Sequence, residues 1–400
     1  ATSSGFPASG SSSTNGCPGK QLPDWRLFFV RIAYLAVKGF PLGGGIENLT
    51  EQIGVRLVER GHEVLVYSSS DHATHSGLYK GLRVKVLPAI KSRTFRKLSL
   101  VGLATADLLA KERVDIAHFH AVGPSVFSFL PRLAGVPTVV QVHGLEWMRD
   151  KWGLAGKAFF KLSDYSAVFF PNRTTVVSKV LKNYYETRFG REVVYIPTGA
   201  AKVDPRCPKR ILDLGLKPRE YILFAARLVE EKGAHYLIEA FRRLPTTLRL
   251  VVAGDAAHEE TYKARLKRLA AADERILFPG FVHGELLAEL FSNAYLFVLP
   301  STIEGLPIAL LEAMAYGNCC LASDIPENLE ALGGHGCTFR NRDVSDLAAV
   351  LQRLITDGAL VESKRDLARR HVLAEYSWDR VADEIEALYH SVLKRRIPGL

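Results

Sequence analysis

The chain has 400 residues, more than one hydrophobic core usually organises, which favours two domains. Its 48% hydrophobic and 24% charged residues exclude collagen-like and disordered classes. The five cysteines form no C-x-x-C pair and are odd in number, which favours reduced thiols and a cytoplasmic protein.

Positive charge is concentrated in the first half of the chain. Residues 1–199 hold 25 Lys and Arg against 14 Asp and Glu, whereas residues 200–400 hold 27 against 28. This asymmetry indicates that the first half meets an anionic partner, which could be a phosphate-bearing substrate, a nucleic acid or an acidic membrane surface.

The chain begins with a stretch rich in Ser, Gly and Thr. We predict a disordered tail over residues 1–24, because no cationic segment precedes an apolar one as in a secretory signal. The apolar run 27–37 contains Arg31 and is about half as long as a bilayer span. It is therefore expected to form a strand rather than cross a membrane.

Short apolar runs alternate with amphipathic segments, the βαβ rhythm of a parallel sheet. Predicted strands in the first half are 27–35, 63–68, 82–87, 114–120, 137–143, 174–178 and 193–197, with a helix over 46–60 that Gly61 ends. The rhythm restarts after 199–219, with strands at 221–225, 248–252, 276–278, 295–299 and 319–323 and helices at 344–356, 359–375 and 378–395. The sequence predicts two α/β domains joined at 199–219.

The first predicted strand is followed by three glycines, Gly43 to Gly45, directly before a helix. Glycines let the backbone approach a ligand closely, and a helix N-terminus offers N–H groups to a diphosphate. A tight turn without a ligand is an equally good interpretation, because the G-x-G-x-x-G spacing is absent.

Three histidines end predicted strands, where ligand crevices form in open parallel sheets. His118 and His120 end one strand, and His143 ends the next. We assign His118 a structural role. His143 is followed by Gly144, which leaves room for a bound sugar beside the imidazole.

Arg227 and Lys232 lie in a loop between a predicted strand and a helix. A planar guanidinium and a mobile ammonium suit the holding of a departing diphosphate. Taken alone, this motif is equally typical of a solvated charged loop.

The motif most specific for a function is residues 301–317, with the sequence Ser-Thr-Ile-Glu-Gly-Leu-Pro-Ile-Ala-Leu-Leu-Glu-Ala-Met-Ala-Tyr-Gly. Pro307 predicts a helix start, which places Glu304 in the preceding loop and Glu312 about two turns inside. A carboxylate there can accept hydrogen bonds from a ribose diol. Two surface glutamates would be the alternative, but the apolar flanks argue against it.

Together these motifs resemble the retaining family 4 glycosyltransferases of the GT-B fold. The resemblance runs from about residue 27 to residue 393, and residues 143–153 further resemble a bacterial rhamnosyltransferase-like subgroup. It implies two Rossmann-like domains facing across a cleft. We assign them to 25–199, on the acceptor side, and 200–379, on the nucleotide-sugar side, with a last helix over 380–396 packing back on the first.

The resemblance also implies residue roles. Glu312 would bind the ribose hydroxyls, and Glu304 would lie beside the donor sugar. Arg227 and Lys232 would hold the diphosphate, and His143 would contact the sugar near the reacting carbon. The other implied nucleotide-sugar contacts are Gly44, Gly45, Phe281, Val282, Gly305, Leu306 and Pro307.

The sequence departs from the family pattern at two positions. Ala226 stands where the family usually has Gly before the arginine, and Thr198 stands where Asn usually precedes Gly199. The first change affects the phosphate loop, and the second lies at the predicted domain junction.

The expected reaction transfers a sugar from a nucleoside diphosphate sugar to a glycan or a polyprenyl- or lipid-phosphate-linked acceptor, in polysaccharide or glycolipid synthesis. No cofactor is expected, and no metal, because no Asp-x-Asp pair is present. Sugar-nucleotide epimerases of the same fold are one alternative. A basic RNA-binding module is another, but no RNP-like motif supports it, so no nucleic-acid partner is expected.

The basic first half also predicts peripheral contact with an anionic membrane at the inner face of the plasma membrane. The residues behind this prediction are Lys91, Arg93, Arg96, Lys97, Trp147, Arg149, Lys151, Trp152, Lys157, Phe159, Phe160 and Lys161. A solvated face over core aromatics is an equally good interpretation, because Lys and Arg stems routinely cover apolar surface.

Overall fold

The computed structural model describes residues 29–40, 44–71, 76–90, 92, 96–149, 152–256 and 260–394. The predicted tail, 1–24, lies outside the described residues, as do Gly43, Lys91, Arg93 and Lys151. Within the described ranges, no helix combines the length and the apolar character needed to cross a membrane.

The first half of the chain forms eight strands: β1 (Arg31–Leu35), β2 (Glu63–Ser69), β3 (Gly77–Tyr79), β4 (Leu82–Leu87), β5 (Ile116–His120), β6 (Thr138–Val142), β7 (Arg173–Val176) and β8 (Val194–Tyr195). They make one sheet in the order β3-β4-β2-β1-β5-β6-β7-β8, in which β3 pairs antiparallel and the other described pairs are parallel. Strands β5 and β6 are buried along their whole length, as in sheets covered by helices on both faces.

The helices of this half are α1 (Gly45–Glu59), α2 (Arg96–Lys111), α3 (Phe129–Leu133), α4 (Leu154–Phe169) and α5 (Lys179–Phe189). Strands and helices alternate along the chain, as in the strand–helix–strand crossovers of parallel sheets. The carboxyl ends of β1, β5 and β6 therefore meet at one edge of the sheet, and the loops that follow these strands are brought together there.

The second half forms the strands β9 (Tyr221–Ala225), β10 (Arg249–Ala253), β11 (Ile276–Gly280), β12 (Leu296–Leu299), β13 (Cys319–Ser323) and β14 (Cys337–Phe339). They pair in parallel in the order β11-β10-β9-β12-β13-β14. The helices are α6 (Arg210–Asp213), α7 (Ala234–Phe241), α8 (Glu260–Ala270), α9 (Gly284–Asn293), α10 (Ile308–Ala315), α11 (Pro326–Leu332), α12 (Val344–Thr356), α13 (Gly358–Glu375) and α14 (Trp378–Lys394). Two parallel sheets confirm the predicted α/β class.

The chain passes between the two sheets twice, and the two passages lie side by side. The Ala200 amide donates a hydrogen bond of 2.6 Å to the Tyr376 carbonyl oxygen. A Cβ at Gly199 would overlap the Trp378 ring, so glycine is required where the linker meets the start of α14. Thr198, the departure from the family pattern, is buried beside it.

After the second passage, α14 packs on the first sheet rather than on the second. Trp378, Val381 and Ile385 share a core cluster with side chains of β1 and β2. Charged contacts add to this packing, because the Arg56 Nε lies 2.7 Å from an Asp379 carboxylate oxygen. The last helix therefore ties the end of the chain to the first domain.

Glu386 lies at the centre of the α14 contact, with a side chain only 3% exposed. Arg60 Nη1 lies 2.6 Å from one Glu386 oxygen, and His62 Nε2 lies 3.1 Å from the other. Burial opposes ionisation, but the hydrogen bonds from His62 and Arg60 outweigh it and lower the pKa of Glu386 below 4.5.

Glu386→Ala is therefore expected to lower the free energy of unfolding by about 3 kcal/mol at pH 7, because two donors lose a buried partner. The contribution of Glu386 is present above its unfolded pKa of 4.5 and is lost as pH falls through its lower folded pKa. Urea denaturation at pH 7 and pH 3.5 measures both effects. Glu384→Ala, which removes a partner that is 32% exposed from the half-exposed Arg380, should cost less than about 1 kcal/mol.

His62 and Glu386 also form, with His390, a group whose potential ligand atoms lie within 4.8 Å of one another. His62 Nδ1 already accepts a hydrogen bond from the Val30 amide, so the neutral imidazole carries its proton on Nε2. Glu386 is engaged by Arg60. This set is therefore better suited to hydrogen bonding than to holding a metal ion.

Candidate active site

The loop after β9 holds the two cations that the sequence singled out. It contains the short 3₁₀ helix Glu230–Lys232, and Gly233 follows with a φ of +70°. A Cβ at Gly233 would overlap the Pro300 carbonyl oxygen, so glycine lets this loop approach the loop after β12. The Thr302 amide completes the contact by donating a 2.8 Å hydrogen bond to the Glu231 carbonyl oxygen.

This approach brings Lys232 and Glu304 into direct contact. The Lys232 ammonium lies 2.5 Å from Glu304 Oε1, and the two side chains are 16% and 7% exposed. A charged pair that is shielded from water to this degree interacts more strongly than a surface pair. The structure thus joins two predicted site residues that are 72 positions apart in the sequence.

Arg227 lies at the open side of the same loop. Its side chain is 58% exposed, and its Nη2 lies 3.6 Å from Glu231 Oε1. Ala226, where the family usually has glycine, is not among the residues with a positive φ, so alanine fits without backbone strain. Arg227 is therefore free to reorient toward an anion in the cleft.

Glu312 projects from α10, whose N-cap is Pro307. It is the fifth residue of that helix, so the prediction of two turns was wrong and the carboxylate lies about one turn inside. Pro307, with ψ of 88°, stands just outside the helix, and even counted from Pro307 the five residues to Glu312 make only about 1.4 turns. Burial raises the pKa of Glu312 to about 7.

The residues before α10 lie between these carboxylates. Gly305 links Glu304 to Leu306, and Leu306 is 7% exposed and packs into the core.

The predicted base contacts lie at the carboxyl ends of β10 and β11. There the Gly254 amide donates a 2.8 Å hydrogen bond to the Gly280 carbonyl oxygen. Phe281, just beyond β11, is 61% exposed at the same carboxyl edge of the sheet. Val282 is partly buried beside it.

The glycine turn of the first domain faces the start of α10. Gly44 is the N-cap of α1 and Gly45 is its first residue. A Cβ at Gly45 would lie 3.1 Å from Ile308 Cδ1, the first residue of α10 in the other domain. The N-terminus of α1, which the sequence associated with diphosphate binding, therefore approaches the N-terminus of α10 across the cleft.

The loop after β6 closes the cleft from the same side. A Cβ at Gly305 would overlap the His143 carbonyl oxygen, and a Cβ at Gly144 would lie 3.7 Å from Gly305 Cα. Elsewhere between the domains, both oxygens of Glu330 accept hydrogen bonds from the Lys179 amide at the start of α5, at 2.8 and 2.9 Å. The domains thus meet through close backbone approaches and through the Glu330 carboxylate.

His143 is connected to a row of buried rings. Its Nε2 lies 3.3 Å from His120 Nδ1, and the His120 ring stacks on His118 with centroids 4.6 Å apart. His118 Nδ1 lies 2.7 Å from the Tyr389 hydroxyl of α14, in keeping with the structural role assigned to it. Burial, with a smaller effect of Lys97, lowers the pKa of His143 to about 3. The imidazole is therefore neutral at physiological pH.

Arg149 lies in the cleft, although its sequence neighbours had placed it in the membrane-facing set. Its Nη1 lies 3.5 Å from Glu231 Oε1 of the other domain, and its Nε lies 3.4 Å from Glu146. Burial opposes the charge, but Glu146, Glu231 and Glu304 outweigh it and raise the pKa of Arg149. Its position six residues after His143 was the available signal.

The aromatic residues of that set pack inward. The Trp152 ring lies 4.8 Å from Phe160, Phe159 lies 5.2 Å from Phe160, and the Lys161 ammonium lies 4.8 Å from the Trp147 ring. The four aromatic rings are partly buried, which favours the interpretation of core aromatics under a solvated face. The membrane-facing role predicted for these particular rings is therefore not supported.

Two family models match the chain. The model described as Glycosyltransferase Family 4 matches residues 43–201, and the model described as Glycosyl transferases group 1 matches residues 219–357. A glycogen synthase of Mycobacterium tuberculosis (strain CDC 1551) is 33% identical over 383 residues, which cover 86% of this chain and 91% of that protein. The chain belongs to the family 4 glycosyltransferases.

Other relatives of the transferase span similar lengths. The gpi3 subunit of phosphatidylinositol N-acetylglucosaminyltransferase from Schizosaccharomyces pombe is 25% identical over 372 residues, which cover 88% of this chain and 79% of that protein. The fold matches sucrose-phosphate synthase from Thermosynechococcus elongatus with a TM-score of 0.80, at 20% identity, over 92% of this chain and 100% of that one. These findings confirm the GT-B fold and the transferase class and speak against the epimerase and RNA-binding alternatives.

Gly305→Ala is expected to impair the transferase without unfolding it. Alanine would be unstrained within its own loop, because Gly305 is not among the glycines with a positive φ, but its Cβ would force the His143 loop away. We expect kcat/KM to fall at least about tenfold and Tm to fall by a few degrees, because the two loops must move apart. Gly358→Ala, where a Cβ would meet little, is the matched control and should change neither quantity.

Proposed function

We propose that this transferase moves a sugar from a nucleoside diphosphate sugar to an acceptor hydroxyl and retains the anomeric configuration. The Lys232–Glu304 pair carries the proposal, because it lies opposite His143 and the Gly45 turn, where a diphosphate sugar would bridge the two domains. Glu312 would accept hydrogen bonds from the ribose hydroxyls, and the base would rest near Phe281.

The chemical task of the protein is to stabilise the negative charge that builds on the leaving diphosphate. Lys232 and Arg227 supply two positive charges at this edge, and the N-terminus of α10 adds its partial charge. The acceptor hydroxyl would attack from the face that the diphosphate leaves, which gives retention without an enzyme nucleophile. Glu304, engaged by Lys232, is held in place rather than free to attack the sugar.

A neutral His143 fits this reaction. The sugar carbon gains positive charge as the diphosphate departs, and an imidazolium beside it would raise the energy of that state. The low pKa of His143 keeps the ring uncharged, so it can hydrogen-bond to a sugar hydroxyl without repulsion. We therefore assign His143 to the orientation of the donor sugar.

A screen with UDP, GDP, ADP and dTDP is the first test of the donor proposal. We expect one of these nucleotides to raise Tm by several degrees at saturating concentration, because a ligand that binds only the folded state stabilises it. The same nucleotide should be released when the matching sugar donor is supplied with an acceptor. No stabilisation by any of the four would contradict the proposal.

The proposed reaction needs no metal ion, because cationic side chains do the work of charge neutralisation. Activity should therefore be unchanged after exhaustive treatment with EDTA. Activity that disappears with EDTA and returns with Mg²⁺ or Mn²⁺ would overturn metal independence while leaving the donor site in place.

We further propose that the acceptor is a glycan or a polyprenyl- or lipid-phosphate-linked sugar at the inner face of the plasma membrane, in polysaccharide or glycolipid synthesis. The basic first half and a relative named for phosphatidylinositol support this proposal. The rhamnosyltransferase-like subgroup stays a prediction, and a dTDP- or GDP-linked deoxysugar donor in the screen would support it.

The membrane contact would use an apolar face on α3 and α4, here called the α3–α4 surface. Leu133 is 79% exposed, Leu154 is 90% exposed and Leu162 is 69% exposed. The other exposed apolar side chains of this surface are Phe129, Leu130, Tyr165, Phe169 and Phe170. Exposed cations stand among them, namely Arg132, Lys161 and Arg191. Apolar side chains flanked by cations suit an anionic interface, where each cation contributes about 1 kcal/mol.

Sedimentation with vesicles containing anionic phospholipid tests this contact. We expect binding at low salt and at least a tenfold loss in the Leu133→Ser, Leu162→Ser double variant, because burying each leucine contributes about 1.5–3 kcal/mol. Leu78→Ser, a control that removes an equally exposed leucine on β3, should bind as the wild type does. Absence of wild-type binding would contradict the membrane proposal.

A further inference from the structure

The strongest feature outside the assigned site is Arg149, which the first domain carries into the cation loop of the second. Its Nη1 and the Arg227 Nη2 approach the same atom, Glu231 Oε1, at 3.5 and 3.6 Å. The two nitrogens can therefore be no farther apart than those two distances together. Such a spacing allows two guanidinium groups to contact adjacent phosphoryl groups of one diphosphate.

Glu231 holds both guanidinium groups loosely. Each N···O distance exceeds the range of about 2.7–3.2 Å that a direct N–H···O hydrogen bond prefers. One carboxylate oxygen of Glu231 is thus shared between two guanidinium groups, and neither makes a short hydrogen bond to it. A diphosphate offers more charge and more acceptor oxygens than Glu231 does, and guanidinium groups bind phosphate in a bidentate manner.

Arg149 is also held at the right place by its backbone. It follows the short 3₁₀ helix Glu146–Met148, and this helix continues the His143–Gly144 loop that contacts Gly305. The Arg149 side chain is 23% exposed, and its Nε lies 3.4 Å from a Glu146 carboxylate oxygen. Its Nη1 is directed toward the second domain, where Glu231 lies.

We propose that Arg149 is a third phosphate-binding residue of the donor site. When the nucleoside diphosphate binds, the Arg149 guanidinium exchanges its contact with Glu231 for one with a phosphoryl group. The proposal rests on the proposed function, because it needs a nucleoside diphosphate ligand. It makes donor binding depend on a residue of the acceptor-side domain. Binding of the donor then favours the closed arrangement of the two domains.

An ion pair that only latches the domains would explain the same contact, and the two roles predict opposite effects of Glu231→Gln. If Arg149 binds phosphate, Glu231 competes with the ligand, so its removal should tighten nucleotide binding. If Arg149 and Glu231 only hold the domains together, the loss of either partner should weaken binding alike. Glu231→Gln keeps the shape of the side chain and removes its charge.

Calorimetric titration with the nucleoside diphosphate selected by the screen, and with the matching monophosphate, tests the proposal. We expect Arg149→Gln to weaken diphosphate binding about tenfold to a hundredfold, and Arg149→Lys to weaken it less, because hydrogen bonds to charged groups are individually strong. Monophosphate binding should fall less than diphosphate binding. Glu231→Gln should tighten diphosphate binding.

Arg113→Gln is the matched control, since it removes one exposed positive charge just before β5, at the opposite edge of the same sheet. It should leave nucleotide binding unchanged. Equal weakening by Arg149→Gln and Glu231→Gln would overturn the proposal in favour of a latch. Unchanged diphosphate binding in Arg149→Gln, with a raised KM for a phosphate-bearing acceptor, would overturn it in favour of an acceptor contact. Failure of the wild type to bind any nucleotide would overturn the proposed function as well.

Discussion

Replacing Lys232 by methionine is expected to lower kcat about 10²- to 10³-fold with the preferred donor. The ammonium is placed beside the leaving diphosphate, and removing one pre-organised positive group from a site of charge development typically costs that much. Steady-state kinetics at saturating donor and acceptor measure the effect. Lys232→Arg should restore part of kcat, because it keeps the positive charge in a different shape.

The same change should also destabilise the protein. Glu304 is 7% exposed, and without Lys232 its carboxylate would be buried without its cation, at a cost of about 3 kcal/mol in the free energy of unfolding. The Lys232→Met, Glu304→Gln double variant removes the charge from both sides and should regain most of this stability without regaining activity. A fully active single variant would show that Lys232 does not stabilise the transition state.

Glu312→Gln is expected to weaken nucleotide binding about a hundredfold. A carboxylate can accept hydrogen bonds from two ribose hydroxyls, whereas an amide offers a single neutral acceptor. Titration calorimetry with the selected nucleoside diphosphate measures the change. Glu285→Gln, a neighbouring exposed carboxylate in the first turn of α9, is the control and should bind as the wild type does. Equal affinity in Glu312→Gln would remove Glu312 from the ribose site.

The raised pKa of Glu312 gives the binding a pH dependence. Because burial raises its pKa to about 7, the free carboxyl is partly protonated at neutral pH. Ribose hydroxyls donate to the ionised form, so wild-type affinity should rise as pH increases through about 7 and level off above it. Affinity in Glu312→Gln should not follow this profile.

Stability should change in the opposite direction. The folded pKa of Glu312 lies above its unfolded value of 4.5, so its contribution to stability is fully present below pH 4.5 and is lost as pH rises through about 7. At pH 8 the Glu312→Gln variant should therefore unfold at higher urea concentration than the wild type, although it binds nucleotide less well. A trade-off of this kind between stability and affinity is common where ligand binding requires a buried charge.

The sequence predicted most of the framework because parallel strands are buried on both faces and appear as unbroken apolar runs. The strands at 221–225 and 319–323 were predicted at their exact bounds, and β5 and β6 within two residues. β3 and β14 were missed, because each has three residues and lies at a sheet edge, with little apolar pattern to detect.

The cleft was predictable only in part. Glu304 and Lys232 could be selected by their motifs, but no local pattern shows that a glycine at 233 lets their loops touch. Arg149 was placed in the wrong group because its neighbours Trp147 and Trp152 suggested a surface role. Which side of the chain faces the cleft depends on how α4 packs, and that is a tertiary property which periodicity alone does not determine.

The positions of the three histidines in the row could be predicted in part from the sequence, but their contact with α14 could not. All three were expected at strand ends; His120 ends β5 and His143 directly follows β6, but His118 lies in the middle of β5. Their link to Tyr389 depends on α14 returning to the first sheet, a contact between residues 271 positions apart for His118. Long-range pairing of this kind leaves no signal in one sequence.

A proton NMR time course of donor and acceptor with the purified transferase tests the central claim most directly. The account predicts acceptor-dependent loss of one nucleoside diphosphate sugar, with the new glycosidic linkage in the same anomeric configuration as the donor and no product in Lys232→Met. A product of inverted configuration would contradict retention. Conversion of the donor without an acceptor into an epimer would contradict sugar transfer itself.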